Sequence, residues 1–162
     1  VYTFAIDHLG LTPCTMVPNL PTTIETANGT AWSPKEAGNV EYAGVLHPLK
    51  WGLARSRNNY SAWIMKQAKQ PAAVADFIHN MGIRSYIDPV PALALGSSES
   101  NVYELVSAFS TFANQGVHTD PIFVTRIEDR QGNLIASFIP QSQDAVSERT
   151  AYTMLTLSLI HI

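Results

Sequence analysis

Two residues of this chain, Ser56 and Asn58, have types and spacing suited to acyl-transfer chemistry. A serine hydroxyl donates and accepts hydrogen bonds in the same step and can relay a proton, while a carboxamide can hold a substrate carbonyl without adding charge. The pair lies in Leu49-Lys50-Trp51-Gly52-Leu53-Ala54-Arg55-Ser56-Arg57-Asn58-Asn59-Tyr60, where Leu49, Leu53 and Ala54 recur at helical spacing. Residues two apart do not share a helix face, so both side chains point one way only if the helix ends there. Ser56, Asn58 and Asn59 favour that ending, because each can bond local backbone in place of the helix ladder. Tyr60, Trp63, Ile64 and Ala68 then resume a helical stripe. The expectation is two helices joined by a tight turn with Ser56 and Asn58 at its tip, a suitable place for a cleft residue. Alone, the pair fits a simple turn or N-cap as well as a site, and context has to decide.

The elements that must position this turn belong to a chain of 162 residues, 46% hydrophobic and 14% charged, enough for one folded domain with a real core. A net charge of -3, with ten Lys and Arg thinly spread, argues against nucleic acid as a partner. Cys14 is the single cysteine, which excludes an internal disulfide and a multi-cysteine metal site. No two of His8, His47, His79, His118 and His161 stand at ligand-pair spacing, so no metal is expected, and no cofactor motif is present. No apolar run is long enough to cross a bilayer, and residues 1–20 lack the order of a signal peptide. Both ends read as the interior of something larger: Val1 enters directly into an amphipathic pattern, and Thr156 to Ile162 stops inside an apolar stretch.

Val1, Phe4, Ala5 and Leu9 form a stripe closing at Gly10, the tail of a helix. Residues 11–28, with Pro13, Pro18 and Pro21, predict an extended surface segment, and residues 28–44 a long glycine-punctuated loop in which Trp32 anchors to the core. His47-Pro48 opens the helix leading to Ser56. Pro71 to Met81 predicts a short helix, with His79 a surface residue rather than a ligand. Pro89 to Ser98 is irregular apart from Ala92-Leu93-Ala94-Leu95. Asn101 and Glu104 form a capping-box-like start to a strong helix running to Gly116. Ile122–Glu128 and Leu134–Ile139 predict a β-hairpin, and Ser147 caps a last helix to Leu159.

In this order the pieces resemble the transpeptidase domain of class A penicillin-binding proteins over residues 1–155. Tyr2-Thr3-Phe4-Ala5 followed by Gly10-Leu11-Thr12-Pro13 is similar to the continuation of that family's S-x-x-K nucleophile helix. Leu53-Ala54-Arg55-Ser56-Arg57-Asn58 sits where the family has A-L-A-x-S-x-N. Further matches follow in family order: Gly82-Ile83, Pro91-Ala92-Leu93-Ala94-Leu95-Gly96-Ser97, Tyr103-Glu104-Leu105, Phe112-Ala113-Asn114-Gln115-Gly116, Pro121, Arg126-Ile127 and Asp129 to Gly132. The resemblance implies an α/β fold of the α+β kind, penicillin-binding protein and serine β-lactamase-like, with this chain covering mostly the all-helical part plus a β-hairpin. It further implies a serine D-Ala-D-Ala transpeptidase that cross-links peptidoglycan stem peptides, binds β-lactam antibiotics, and works on the outer face of the cytoplasmic membrane through an anchor upstream. By family role Ser56 would help relay the proton among lysine, nucleophile and leaving amine, and Asn58 would hydrogen-bond the side-chain amide of substrate or β-lactam.

The departures from the family are equally specific. No S-x-x-K, K-T-G or K-S-G occurs, since Lys35, Lys50, Lys66 and Lys69 each stand in another context. Such groups act as a unit, so these residues by themselves should not turn over substrate. Residues 156–162 leave the family pattern and are expected to be a non-family tail. With neighbouring elements lost, the apolar faces of residues 1–9 and 147–160 are expected to lie bare. Two alternatives stay open: a serine β-lactamase or β-lactam sensor of the same fold, and a non-catalytic interaction module on this scaffold.

Overall fold

The computed structural model describes residues 1–26, 28–38 and 43–158. Helix α1 (Tyr2–His8) buries Tyr2, Thr3, Phe4 and Ala5 at the centre of the molecule. Two antiparallel ladders follow where sequence periodicity predicts only extended chain and loop. They are β1 (Met16–Pro18) with β4 (Leu46–Pro48), and β2 (Ile24–Glu25) with β3 (Ala31–Trp32). Such strands are too short to show a period of two, so only the tertiary pairing reveals them. Trp32 lies opposite Ile24 in the second ladder and is half-buried, and among the described residues it belongs to neither apolar cluster. Residues 39–42 of the expected loop lie outside the described residues.

Helix α2 (Leu49–Ala54) starts on Pro48, which offers no side-chain cap. Backbone carbonyls replace it: the Leu49 amide donates to Thr15 O at 2.9 Å and the Lys50 amide to Pro13 O at 3.0 Å. Helix α3 (Asn58–Ala68) is the spine of the fold, with Asn59, Tyr60, Ala62, Ile64 and Met65 buried. Burying a side chain the size of Ile64 or Met65 contributes about 1.5–3 kcal/mol. Tyr60 crosses from α3 to the first ladder, its hydroxyl donating to Val17 O at 3.1 Å. It also explains Gly52, since a Cβ there would stand 2.2–2.8 Å from Tyr60 ring and Cβ atoms. The two helices approach that closely only where one has no side chain.

Helix α4 (Pro71–Asn80) has proline in its first turn and packs Val74, Ala75 and Phe77 inward. A 3-10 helix (Pro91–Leu95) lies against α3 and takes in the Ala92-Leu93-Ala94-Leu95 run that interrupts the expected irregular stretch. Helix α5 (Val102–Ala113) is capped as expected, the Glu104 amide donating to Asn101 Oδ1 at 2.9 Å. The Glu104 carboxylate does not complete a capping box: it accepts from the Arg84 and Ser85 amides and from Ser85 Oγ. Strand β5 (Val117–Thr119) pairs with β8 (Ser142–Asp144). The expected hairpin is present but shorter, β6 (Arg126–Glu128) with β7 (Leu134–Ser137) and a register shift at Ile127/Glu128. Helix α6 (Glu148–Ser158) begins at Ser147, whose Oγ accepts from the Thr150 amide at 3.2 Å.

Two apolar clusters meet at α1 and α3, one built on Phe4, Met65, Phe77 and Phe112 and the other on Tyr2, Val17, Leu49, Tyr60 and Ile64. The expectation of bare apolar faces is therefore corrected for residues 1–9 and, in part, for residues 147–158, while residues 159–160 lie outside the described residues. Phe4 and Ala5 are core residues and Ala151 and Leu157 are buried, but Tyr152 and Leu155 remain exposed. The exposed apolar surface lies instead on α5 and the hairpin, with Val102, Val106, Phe109, Phe123, Leu134 and Ile135 outward. Residues 156–158 of the expected tail continue α6, and residues 159–162 lie outside the described residues. No helix among the described residues is long and apolar enough to cross a membrane.

Candidate functional site

The turn carrying Ser56 is built as a helix stop. The Ser56 amide donates to Leu53 O and the Arg57 amide to Gly52 O, both at 2.9 Å, so the last carbonyls of α2 are satisfied by a Schellman-type closure. That closure needs a left-handed residue, and Ser56 supplies it with φ +51°. Glycine is the usual occupant, and a serine there holds the strained backbone at a cost of about 1 kcal/mol. The exposed Ser56 side chain thus leaves the helix axis beside a hollow that it helps to line, two residues before α3 begins.

Asn58 is the first residue of α3 and half-buried. Its Nδ2 donates to Lys35 O at 2.7 Å, and among the described residues no donor reaches its Oδ1. The N-cap, Arg57, has no side-chain acceptor to offer. Glu36 from the 33–36 loop takes that place: its Oε2 accepts from the Asn58 amide at 3.0 Å and its Oε1 from the Asn59 amide at 2.9 Å. Asn59, buried beside it, donates through Nδ2 to Glu36 Oε1 and accepts from the Thr22 amide. A carboxylate at a helix N-terminus is doubly favoured, by the orphan amides and by the helix dipole.

Ser56 and Asn58 line one open hollow of about 430 Å³ together with Tyr2, Arg57 and Ser61, and its wall is completed by Gly52, Leu53, Ala94 and Leu95. The expectation that the pair shares a cleft therefore holds as geometry, with Ser56 on the turn and Asn58 not at its tip but opening α3. Burial pushes the Tyr2 phenol well above its ordinary range, an effect partly offset by the adjacent Ser61 hydroxyl, so the ring stays protonated at neutral pH. Arg57 is the one cation among the lining residues, its guanidinium 5.5 Å from the centre of the Trp51 ring. The lining holds hydroxyls, an amide and a guanidinium but no His, Lys, Asp or Glu. It can orient a carbonyl or amide and pass a proton on, yet it has no base of its own. A larger hollow of about 600 Å³, lined by Ser85, Tyr86, Asp88 and residues 97–101, shares no lining residue with it.

Sequence reasoning missed Glu36, Lys35, Tyr2 and Ser61 as neighbours of this turn. Ser61 alone left a signal, standing one turn beyond Arg57 on the same helix face. Glu36 sits 22 residues upstream in a loop without periodicity, and no local pattern points from it to Asn58.

Over 95% of its length the chain is 30% identical to penicillin-binding protein 1A of Neisseria meningitidis strain MC58. Over 87% it is 31% identical to penicillin-binding protein 1A of Escherichia coli K12. The chain is a relative of the penicillin-binding proteins. It covers 20% of the Neisseria protein and 16% of the Escherichia one, and so spans a fifth or less of these two relatives. No family model matches it. The fold agrees: penicillin-binding protein 1A from Haemophilus influenzae superimposes with a TM-score of 0.71 at 26% identity, over 87% of this chain and 21% of that one. Penicillin-binding protein 3 from Mycobacterium tuberculosis, solved with aztreonam, gives 0.74 at 16% identity over 96% of this chain and 38% of its own. The imipenem acyl-enzyme of penicillin-binding protein A from the same organism gives 0.72 at 15% identity, over 99% and 41%. The penicillin-binding protein fold thus extends over nearly the whole chain.

Proposed function

We propose that these residues form part of a peptidoglycan D,D-transpeptidase, in which Ser56 and Asn58 serve a serine acyl-enzyme. One observation supports this reading above others. The two side chains that acyl transfer calls for line a single hollow beside Tyr2, on the helix whose sequence resembles the continuation of the nucleophile helix. In the reaction a nucleophilic serine, supplied by an S-x-x-K motif outside these residues, attacks the carbonyl of the penultimate D-alanine. The C–N bond to the terminal D-alanine breaks, and that amine leaves with a proton. A stem-peptide amine then attacks the acyl-enzyme, forms the cross-link and returns the serine hydroxyl. The Ser56 hydroxyl passes the proton between base and leaving amine, and Asn58 holds the amide next to the scissile bond. A β-lactam enters the same hollow and acylates the same serine. Peptidoglycan as substrate puts the work on the extracytoplasmic face of the cytoplasmic membrane.

The test is acylation by a fluorescent penicillin in the full-length polypeptide. Ser56→Ala and Asn58→Ala should each raise the barrier by about 2–4 kcal/mol, roughly 30- to 1,000-fold in rate. Labelling of both variants at the wild-type rate would refute the assignment. The 162-residue chain alone should form no covalent adduct, since it has no S-x-x-K. An open reading frame that lacks S-x-x-K on the N-terminal side of Tyr2 would favour a non-catalytic module instead.

A further inference from the structure

The loop residue Glu36 is bound more closely to the candidate site than its place in the sequence foreshadows. Its two carboxylate oxygens accept three hydrogen bonds, from the Asn58 amide, the Asn59 amide and Asn59 Nδ2, at 3.0, 2.9 and 2.9 Å. The adjacent Lys35 carbonyl accepts from Asn58 Nδ2 at 2.7 Å. Asn59, 2% exposed, carries the connection inward to the Thr22 amide, and Ser33 Oγ donates to Thr22 O at 3.1 Å. Arg57 provides no cap, and among the described residues it is the Glu36 carboxylate from this loop that accepts from the Asn58 and Asn59 amides.

We infer that Glu36 is a positioning residue, a cap supplied from another part of the chain, that fixes the bearing of Asn58 and thereby the selectivity of the site for ligands bearing an acylated amine. The inference rests on the role proposed above for Asn58. The physical chain is short. A carboxylate bound by two successive helix amides fixes the rotation of the first turn of α3. Fixing that turn fixes the Cα–Cβ direction of Asn58, and the Lys35 carbonyl then selects one orientation of its carboxamide, with Nδ2 toward the loop and Oδ1 free to accept a ligand N–H. Without Glu36 the first amides of α3 turn to water, the helix frays at its first residue, and a misplacement of the order of 1 Å at Asn58 is enough to weaken catalysis.

Two measurements test this. In the 162-residue chain, amide hydrogen exchange at Asn58 and Asn59 should accelerate at least about 10-fold in Glu36→Ala, while amides of Ile64 to Ala68 keep their protection. Glu36→Gln guards against loss of fold. One oxygen still serves Asn59, whereas an amide nitrogen faces the Asn58 N–H, so Asn58 alone should lose protection. Unchanged exchange at Asn58 in both variants overturns the clamp. In the full-length polypeptide, Glu36→Ala should slow acylation by a penicillin with an acylamino side chain about 10- to 100-fold. Acylation by a carbapenem, whose hydroxyethyl group has no amide for Asn58 to hold, should change less than about 2-fold, whereas general loss of structure would slow both alike. Equal slowing of both, or of neither, overturns the positioning role. If wild type is not labelled, or Asn58→Ala is labelled normally, the transpeptidase reading fails instead, and the exchange result still decides whether Glu36 caps α3.

Discussion

At the scale of single residues, Ser56 sets local stability against the proposed chemistry. It occupies the left-handed position that closes α2, with φ +51°, where a Cβ is unfavourable. Ser56→Gly in the 162-residue chain should therefore raise unfolding free energy by about 0.5–1 kcal/mol, measured by urea denaturation. The same substitution in the full-length polypeptide should lose acylation as Ser56→Ala does. A glycine variant less stable than wild type would show that the hydroxyl has a structural partner instead. The serine and asparagine were legible in the sequence because a helix stop needs short polar residues and a cleft needs hydroxyls and amides. Glu36 was not, because a carboxylate in a loop carries no sign of which amides it will meet.

At the scale of elements, the first and last helices are tied by a contact that spans 140 residues. The Ser147 amide donates to Asp7 Oδ1 at 3.1 Å and Ser147 Oγ donates to the same oxygen at 2.9 Å. Burial pushes the Asp7 carboxyl up, but hydrogen bonds from Thr150 and Ser147 outweigh it and hold the group below its ordinary value of 3.8. The folded state thus favours the ionised form. Its contribution is present above the unfolded value near 3.8 and is lost as pH falls through the depressed folded value. Asp7→Asn should lower stability by about 1–2 kcal/mol at pH 7, with the gap to wild type closing in strong acid. Denaturation curves at both pH values check this, and a gap that persists unchanged in acid would remove Asp7 ionisation from the account. The helices were readable from the 3.6-residue stripes of Phe4, Ile64, Phe77 and Phe112 and from the Asn101 and Ser147 caps. The ladders β1–β4 and β2–β3 were not, since strands of two or three residues are defined by their partners.

At the scale of the whole molecule, α5 is apolar on its outward face as well as its inward one. Its outward positions Val102, Leu105, Val106 and Phe109 follow helical spacing, while Ala108 and Phe112 are buried alongside Glu104, Ser107 and Thr111. Together with Leu134, Ile135 and Phe123 of the hairpin region this leaves an apolar surface that promotes association. The chain should therefore bind a hydrophobic dye and scatter light increasingly with concentration. A Val106→Lys, Phe109→Lys double variant should suppress both while changing stability by no more than about 0.5 kcal/mol per site. Undiminished scattering would place the sticky surface elsewhere. The sequence by itself determined the helices, the hairpin, the cap residues and the location of a polar turn, because periodicity and local hydrogen bonding are short-range properties of neighbouring residues. Only the tertiary structure decided that Tyr2 and Ser61 share a hollow with that turn, that Glu36 caps α3, and which face of α5 remains bare. Those outcomes depend on which distant surfaces meet, and nothing in a local pattern encodes the partner.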